Sequence, residues 1–311
     1  MSNSAIAIIT FNRLRVLQRT LKTLSEHVKH DFCPIAIFDD ASNLDNTVEW
    51  LQNLPKADTG RSQLNPDLET DSIVVNCYGM LIEVFLGQHN LGVAGNSNRA
   101  IRWFEKNTTH GHLFLMNDDL IFYDDAVHAY AKAHEETGVG LFCLNNLQDE
   151  DHRWIIVKFK GHKLKSFRKM TGAVMSMTRD VVKKVGYFDT AFGKFGEEHC
   201  DYTNRARFLG FVQIEGHIYT CLDVEWPTPM LDHQSDAMPT VNNQDRETWG
   251  RQALEVMRSR TTNSYKLGTF YLPFSLRHVR YVGCDAGFDR GIPLKNLPGI
   301  EAGPVHIVPF E

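Results

Sequence analysis

The run His112-Leu-Phe-Leu-Met brings an apolar segment directly onto Asn117, Asp118 and Asp119. Adjacent carboxylates repel, so a pair placed at the end of a buried strand needs either a solvated turn or a cation to meet it. A second acidic cluster, Gly196-Glu197-Glu198-His199-Cys200-Asp201, precedes a helical pattern. Acids there suit a helix N-terminus, and they also set proton acceptors side by side. Polar residues close the other apolar runs: Thr10, Asn12 and Arg13 after the first, Asp39 and Asp40 after the second, Gln88 to Asn98 after the third. Such residues end strands and cap helices on structural grounds alone, and Asn12 suits a helix N-cap. These three together with Asn117 to Asp119, four strand ends in succession, nevertheless point to one ligand-binding rim.

The elements that must position these residues follow from periodicity. Residues 5–10 form a short continuous apolar run, and Leu14, Leu17, Leu21 and Leu24 then recur at helical spacing. Strands are expected again at 34–40, 80–87 and 112–117, with helices over 47–54 and from residue 95. Strands separated by helices of this length imply βαβ crossovers and a mostly parallel sheet covered on both faces, an α/β fold. Ligands of such sheets gather at the carboxyl ends of the strands, where the polar clusters fall. Residues 53–72 are polar and rich in breakers, and read as a surface excursion. Asp124 and Asp125 read as caps of the helix that follows them.

Composition narrows the classes. With 33 basic against 38 acidic residues and a net charge of −5, the chain is no general polycation for nucleic acid. Six cysteines stand far apart with no C-x-x-C pair, so reduced thiols are expected. No apolar stretch reaches the roughly 18 residues of a membrane span, and the N-terminal segment has no charged region before its short apolar run. The expected location is cytoplasmic.

Six blocks, IAIITFNR, IAIFDDAS, NLGVAGNSNRAI, FLMNDDL, TGAVMSMTRDVVKKVGYFDTAF and FGEEHCDYTNRARFLGF, occur in this order. Together they resemble the inverting glycosyltransferase family 2, from about residue 5 to 221. That resemblance implies a GT-A fold, Rossmann-like, with a mostly parallel central sheet flanked by helices. It also implies a nucleotide-sugar donor, UDP-sugar favoured, a divalent metal (Mn²⁺ or Mg²⁺) on its diphosphate, and a carboxylate that deprotonates the acceptor hydroxyl. Asn117-Asp118-Asp119 is similar to the family's D-x-D motif with its first acid replaced, which makes Asp119 the first metal ligand, with Asn117 beside it and Asp118 nearer the ribose. His233 resembles the histidine that completes the metal or diphosphate site, with His217 as the fallback. Asp39 corresponds to the acid that binds nucleobase or ribose; Asp40, Ser42, Thr10, Asn12 and Arg13 would frame that pocket. Asn98 would order the loop containing Gly92 and Gly95, and Gly172 and Ala173 would line the donor-sugar pocket. Glu198 is the expected base and Asp201 a supporting acid, with His199 as a rival because neutral imidazole is a competent base near neutral pH. The expected division is a catalytic domain over 1–222 and a C-terminal extension over 223–311 that closes over the acceptor or mediates self-association.

The acceptor is addressed by one stretch only. Lys158, Lys160, Lys163, Lys165, Arg168 and Lys169 alternate with Phe159, His162 and Phe167. This reads as a half-exposed strand or hairpin, which lysines blunt against aggregation. Basic side chains interleaved with aromatics also suit a polyanion, such as DNA carrying hydroxymethylated bases. A glycan or lipid-linked acceptor stays open. A different class is a noncatalytic sugar-nucleotide-binding scaffold, favoured by the Asn117 and His199 departures and opposed by the joint presence of Asp39, Asp119, Glu198 and Asp201. A nucleotidyltransferase would need a glycine-rich loop after the first strand, which Ile9 to Val16 lacks.

Overall fold

Chain order begins with β1 (Ser4–Thr10), α1 (Leu14–His27), β2 (Ile35–Asp39) and α2 (Thr47–Asn53), then β3 (Ser72–Cys77), β4 (Met80–Leu86) and α3 (Gly92–Asn107). β5 (His112–Asn117), β6 (Leu120–Phe122), α4 (Ala126–Thr137) and β7 (Leu141–Cys143) follow, then the β8 (Trp154–Phe159) and β9 (His162–Phe167) pair, β10 (Val174–Thr178), α5 (Arg179–Val185) and α6 (Glu198–Phe208). The chain continues through β11 (Gln213–Ile214), β12 (His217–Ile218), β13 (Cys221–Val224), β14 (Leu231–His233), β15 (Thr269–Phe274) and β16 (His278–Val282). These come from a computed structural model that describes residues 3–31, 33–57, 72–145, 154–167, 172–219, 221–233, 245, 247–257, 269–274 and 278–282. Residues 58–71, Arg168, Lys169, Cys284 and the tail from 291 lie outside the described residues.

The central sheet has seven strands in the order β3-β4-β2-β1-β5-β10-β7. Its middle strands β4, β2, β1 and β5 are parallel, while β3 and β10 run antiparallel to their neighbours. This is the mostly parallel α/β architecture expected of the sequence. β1 and β2 are buried at every position, which is why they read as continuous apolar runs rather than alternating ones. α1 lays Leu17, Leu21 and Leu24 on the sheet, and α3 lays Ala100, Ile101 and Phe104 there. Phe38 stacks on Phe85 at 4.9 Å, with Trp103 edge-on at 6.0 Å.

Two differences from the sequence expectation have physical causes. α3 starts at Gly92 rather than near 95, because Asp40 accepts the N–H groups of Leu91 and Gly92 and anchors the earlier turn. β3 was not foreseen: it is a partly exposed edge strand, joined to β4 by Tyr78 and Gly79, both with positive φ. The basic stretch does form a hairpin, with Phe159 opposite His162 and the turn made by Lys160 and Gly161, again both at positive φ. It belongs to a separate sheet, β13-β9-β8. β14 pairs with β6, and β15 pairs with β16 through an irregularity between Tyr271 and Phe274 that brackets Pro273. Residue 222, where the sequence places the domain boundary, lies inside β13. Among the described residues, Cys33, Cys77, Cys143, Cys200 and Cys221 form no disulfide, and no helix is long and apolar enough to cross a membrane.

Candidate active site

β1 and β5 are neighbours, with Ile9 opposite Asn117, so the residues that leave both strands meet. The Thr10 hydroxyl donates to Asp118 Oδ2 at 2.6 Å. Arg13 Nη1 lies 3.0 Å from Asp118 Oδ1 and 2.7 Å from Asp119 Oδ2. Thus the cation that meets the acidic pair within the chain is Arg13. Thr20 secures the turn from inside α1: its hydroxyl is 2.6 Å from the Asp118 carbonyl and accepts the Leu120 N–H at 3.0 Å. The β6–β14 ladder sets His233 opposite Leu120, one residue from Asp119, and His233 Nε2 is 3.1 Å from Asp119 Oδ2.

The two neighbouring acids are pushed apart electrostatically. Burial raises Asp118 to about 7 against the opposing pull of Arg13. Burial acts on Asp119 in the same sense, but the hydrogen bond from His233 and the charge of Arg13 outweigh it, leaving Asp119 below the ordinary carboxylate range. Asp119 therefore stays ionised, and its Oδ1 is buried with no hydrogen-bond partner. An unclaimed anionic oxygen beside an imidazole is a donor set that a hard divalent ion accepts. Among the described residues no three His, Cys, Asp or Glu side chains gather as a metal cage. A site with one or two protein ligands, completed by phosphate and water, is the kind that Mg²⁺ commonly uses.

A second group lies at the end of β2. Both oxygens of Asp39 accept from Ser42, one from its hydroxyl and one from its N–H at 3.0 Å, and burial raises the Asp39 pKa. Asn12 takes a left-handed backbone (φ 54) and its Oδ1 accepts the N–H groups of Asn43 and Leu44. It clamps the loop after β2 and does not cap α1; that part falls to Asp45, which accepts the Leu14 N–H at 2.8 Å. Asp40 is 4% exposed, anchors α3, and is raised to about 6 by burial. Asn98 is spent on the backbone of Phe188, donating to its carbonyl and accepting its N–H, apart from the acidic pair.

The third group comes from the far side of the sheet. Asn117 N–H donates to the Ala173 carbonyl, so the Gly172–Ala173 segment enters beside the acidic pair. Gly172 has φ +75, and a Cβ there would come within 2.7 Å of His199 Nδ1. That imidazole lies 2.9 Å from Glu198 Oε1 and edge-on to Phe188. Glu197 starts α6 from a left-handed backbone (φ 36), a conformation uncommon outside glycine and Asn. Asp201 is held by Arg205 at 2.9 Å. His217 lies in the β11–β12 hairpin, opposite Ile214.

Three further residues were not singled out from the sequence. Arg99 is 7% exposed and donates to the Asp39 carbonyl at 2.8 Å. Asp223 accepts the Tyr130 hydroxyl and, at 2.8 Å, the Asn145 N–H. Nothing local marks Arg99, whereas an acid inside the run Cys221-Leu222-Asp223-Val224 marks Asp223. Nothing local marks Asn145.

No curated protein matches the sequence. Among solved structures, GalNAc-T7 with UDP, GalNAc and Mn²⁺ superposes with a TM-score of 0.56 at 12% identity, over 85% of this chain and 50% of that one. The Pyrobaculum calidifontis mannosyltransferase PcManGT, solved with GDP-Man and Mn²⁺, gives 0.44 at 17% identity, over 66% of this chain and 52% of its own. TarS 1-349 of S. aureus gives 0.46 at 12%, over 86% and 75%. The chain thus spans about half the length of the first of these structures. The profile of Glycosyl transferase family 2 matches residues 5–194, from β1 through the segment that leads to α6, and the chain belongs to that family.

Proposed function

We propose that the protein transfers a sugar from a nucleoside-diphosphate donor, a UDP-sugar by preference, to an acceptor hydroxyl, with inversion at the anomeric carbon. The observation that carries this reading is the ionised, buried Asp119, with one oxygen unclaimed, between Arg13 and His233 at the carboxyl rim of the sheet. Asp119, His233 and Asn117 would hold Mn²⁺ or Mg²⁺, which when bound neutralises charge on the departing diphosphate. Arg13 adds a fixed positive charge at the same place, already positioned by two carboxylates. Asp39, with Ser42, Thr10 and Asn12 around it, forms the nucleoside end, where an ionised carboxylate accepts from a base imide or a ribose hydroxyl. Gly172 and Ala173 leave room for the sugar. The acceptor's proton passes to the Glu198–His199 pair, of which His199 is the more accessible partner at 13% against 4% side-chain exposure. Asp201, locked to Arg205, supports this turn of α6.

For the acceptor, the β8–β9 hairpin supports a polyanion. Lys158, Lys160 and Lys163 are exposed, and Trp154 is 42% exposed on the same hairpin. A charged, aromatic-bearing surface of this kind follows a nucleic-acid strand. The GalNAc-T7 complex supplies the probes UDP and Mn²⁺. The test is a donor panel with Mn²⁺, following nucleoside-diphosphate release with and without DNA containing hydroxymethylated bases or a glycan acceptor. Release from one donor, accelerated by one acceptor class, is the expected result. A noncatalytic scaffold is favoured by Arg13 already neutralising the acidic pair, and binding without release under any acceptor would establish it.

A further inference from the structure

The rim holds one polar side chain that none of these roles uses. Asn145 is 6% exposed and its Nδ2 is buried without a hydrogen-bond partner, while its backbone N–H is fixed by Asp223 Oδ2 at 2.8 Å. A buried, unpaired amide donor is rare in folded proteins because desolvation goes uncompensated. Asp223 is itself 2% exposed and held by Tyr130, so the position of Asn145 is rigidly set.

Strand pairing locates that donor. Asn117 N–H reaches the Ala173 carbonyl and Leu144 N–H reaches the Val174 carbonyl at 3.2 Å, so the Gly172–Val174 segment runs between Asn117 and Asn145. Cys143 hydrogen-bonds Thr203 on α6. Asn145 lies two residues further along on the same side of the chain, about 7 Å nearer the rim. Glu198 and His199 lie five and four residues before Thr203, about 6 to 7.5 Å along the helix in the same direction. Asn145 therefore comes level with the Glu198–His199 pair and beside the small residues of the sugar pocket.

On the reading that the protein uses a nucleotide-sugar donor, we infer that Asn145 reads the transferred sugar: its amide Nδ2 donates to a hydroxyl or carbonyl oxygen of the sugar ring and sets which sugar is accepted. It contacts the sugar and not the nucleotide, so its loss separates the two. Wild type, Asn145→Ala and Asn145→Ser are titrated by calorimetry with UDP and GDP, and with UDP-glucose, UDP-N-acetylglucosamine and GDP-mannose. UDP or GDP affinity serves as the control for an intact fold. The expected result is that the affinity of the sugar donor relative to its bare nucleotide falls about tenfold in both variants, while nucleotide affinity is retained. An unchanged ratio in both variants overturns the assignment and leaves the donor reading standing. Failure of wild type to bind any of the five overturns the donor reading and the assignment together.

Discussion

At the scale of the residue, the site works by giving chemically identical neighbours different surroundings. Asp118 is enclosed by Thr10 and Arg13 and rises to about 7, whereas Asp119 gains His233 and stays ionised. Near neutral pH Asp118 is therefore partly protonated while Asp119 keeps its charge, which concentrates the negative charge on the oxygen set that faces His233. Gly172 shows the same dependence on contact. Its positive φ and the His199 ring leave no space for a methyl group, so Gly172→Ala is expected to displace the imidazole. The strain costs about 1 to 2 kcal/mol of stability. Turnover should fall by more than that strain accounts for, measured as kcat/KM against the urea midpoint; full activity would remove His199 from the acid–base pair. As candidates, Asp119 was legible because charge stood at the end of an apolar run, and the Glu198–His199 cluster because acids gathered just before a helical pattern. Asn145 was not, since its meaning arises only when β7, β10 and β13 come together, with 78 positions of sequence between Asn145 and Asp223.

Elements obey the patterns that their burial permits. Strands buried on both faces announced themselves as apolar runs, and β5 has the limits that periodicity set. β3 escaped notice because a half-exposed edge strand carries neither a clean alternation nor a continuous run. α4 shows a cost hidden in the core. His134 is 3% exposed, its Nδ1 is 2.6 Å from the Val139 carbonyl, and its Nε2 is 2.9 Å from the Ser176 hydroxyl. Burial lowers its pKa to about 3, so the ring is neutral near pH 7, and the tautomer that donates to the carbonyl then accepts from Ser176. A depressed value stabilises the fold above the unfolded pKa near 6.5, and that contribution is lost as pH falls from there toward 3. The raised values of Asp40, Asp118 and Asp223 act oppositely, favouring the fold as pH drops below about 6 to 7. Comparison with His134→Gln isolates the imidazole: wild type should lose about 2 kcal/mol more than the variant between pH 7 and pH 5, by urea unfolding. Equal losses would mean that His134 is not held neutral.

At the scale of the whole molecule, a rigid sheet presents its rim, and separately anchored pieces bring the remaining groups to it. β14 delivers His233 by pairing with β6, and β10 delivers Gly172 and Ala173 by pairing with β5. The β8–β9 hairpin projects its lysines from a different sheet, so acceptor binding is expected to be separable from donor binding. Replacing Lys158, Lys160 and Lys163 by Gln should reduce the slope of log K against log salt for DNA by about 2 to 3, with nucleotide affinity unchanged. An unaltered slope would return the hairpin to a structural role. The central claim rests on Asp119 and is tested most directly by calorimetric titration of UDP, with GDP as a second nucleotide, into wild type and Asp119→Asn at matched Mn²⁺ concentrations. Metal-dependent binding in wild type, weakened at least about 10-fold in the variant with its melting temperature retained, is the result expected. Equal, metal-independent binding by both proteins would contradict it.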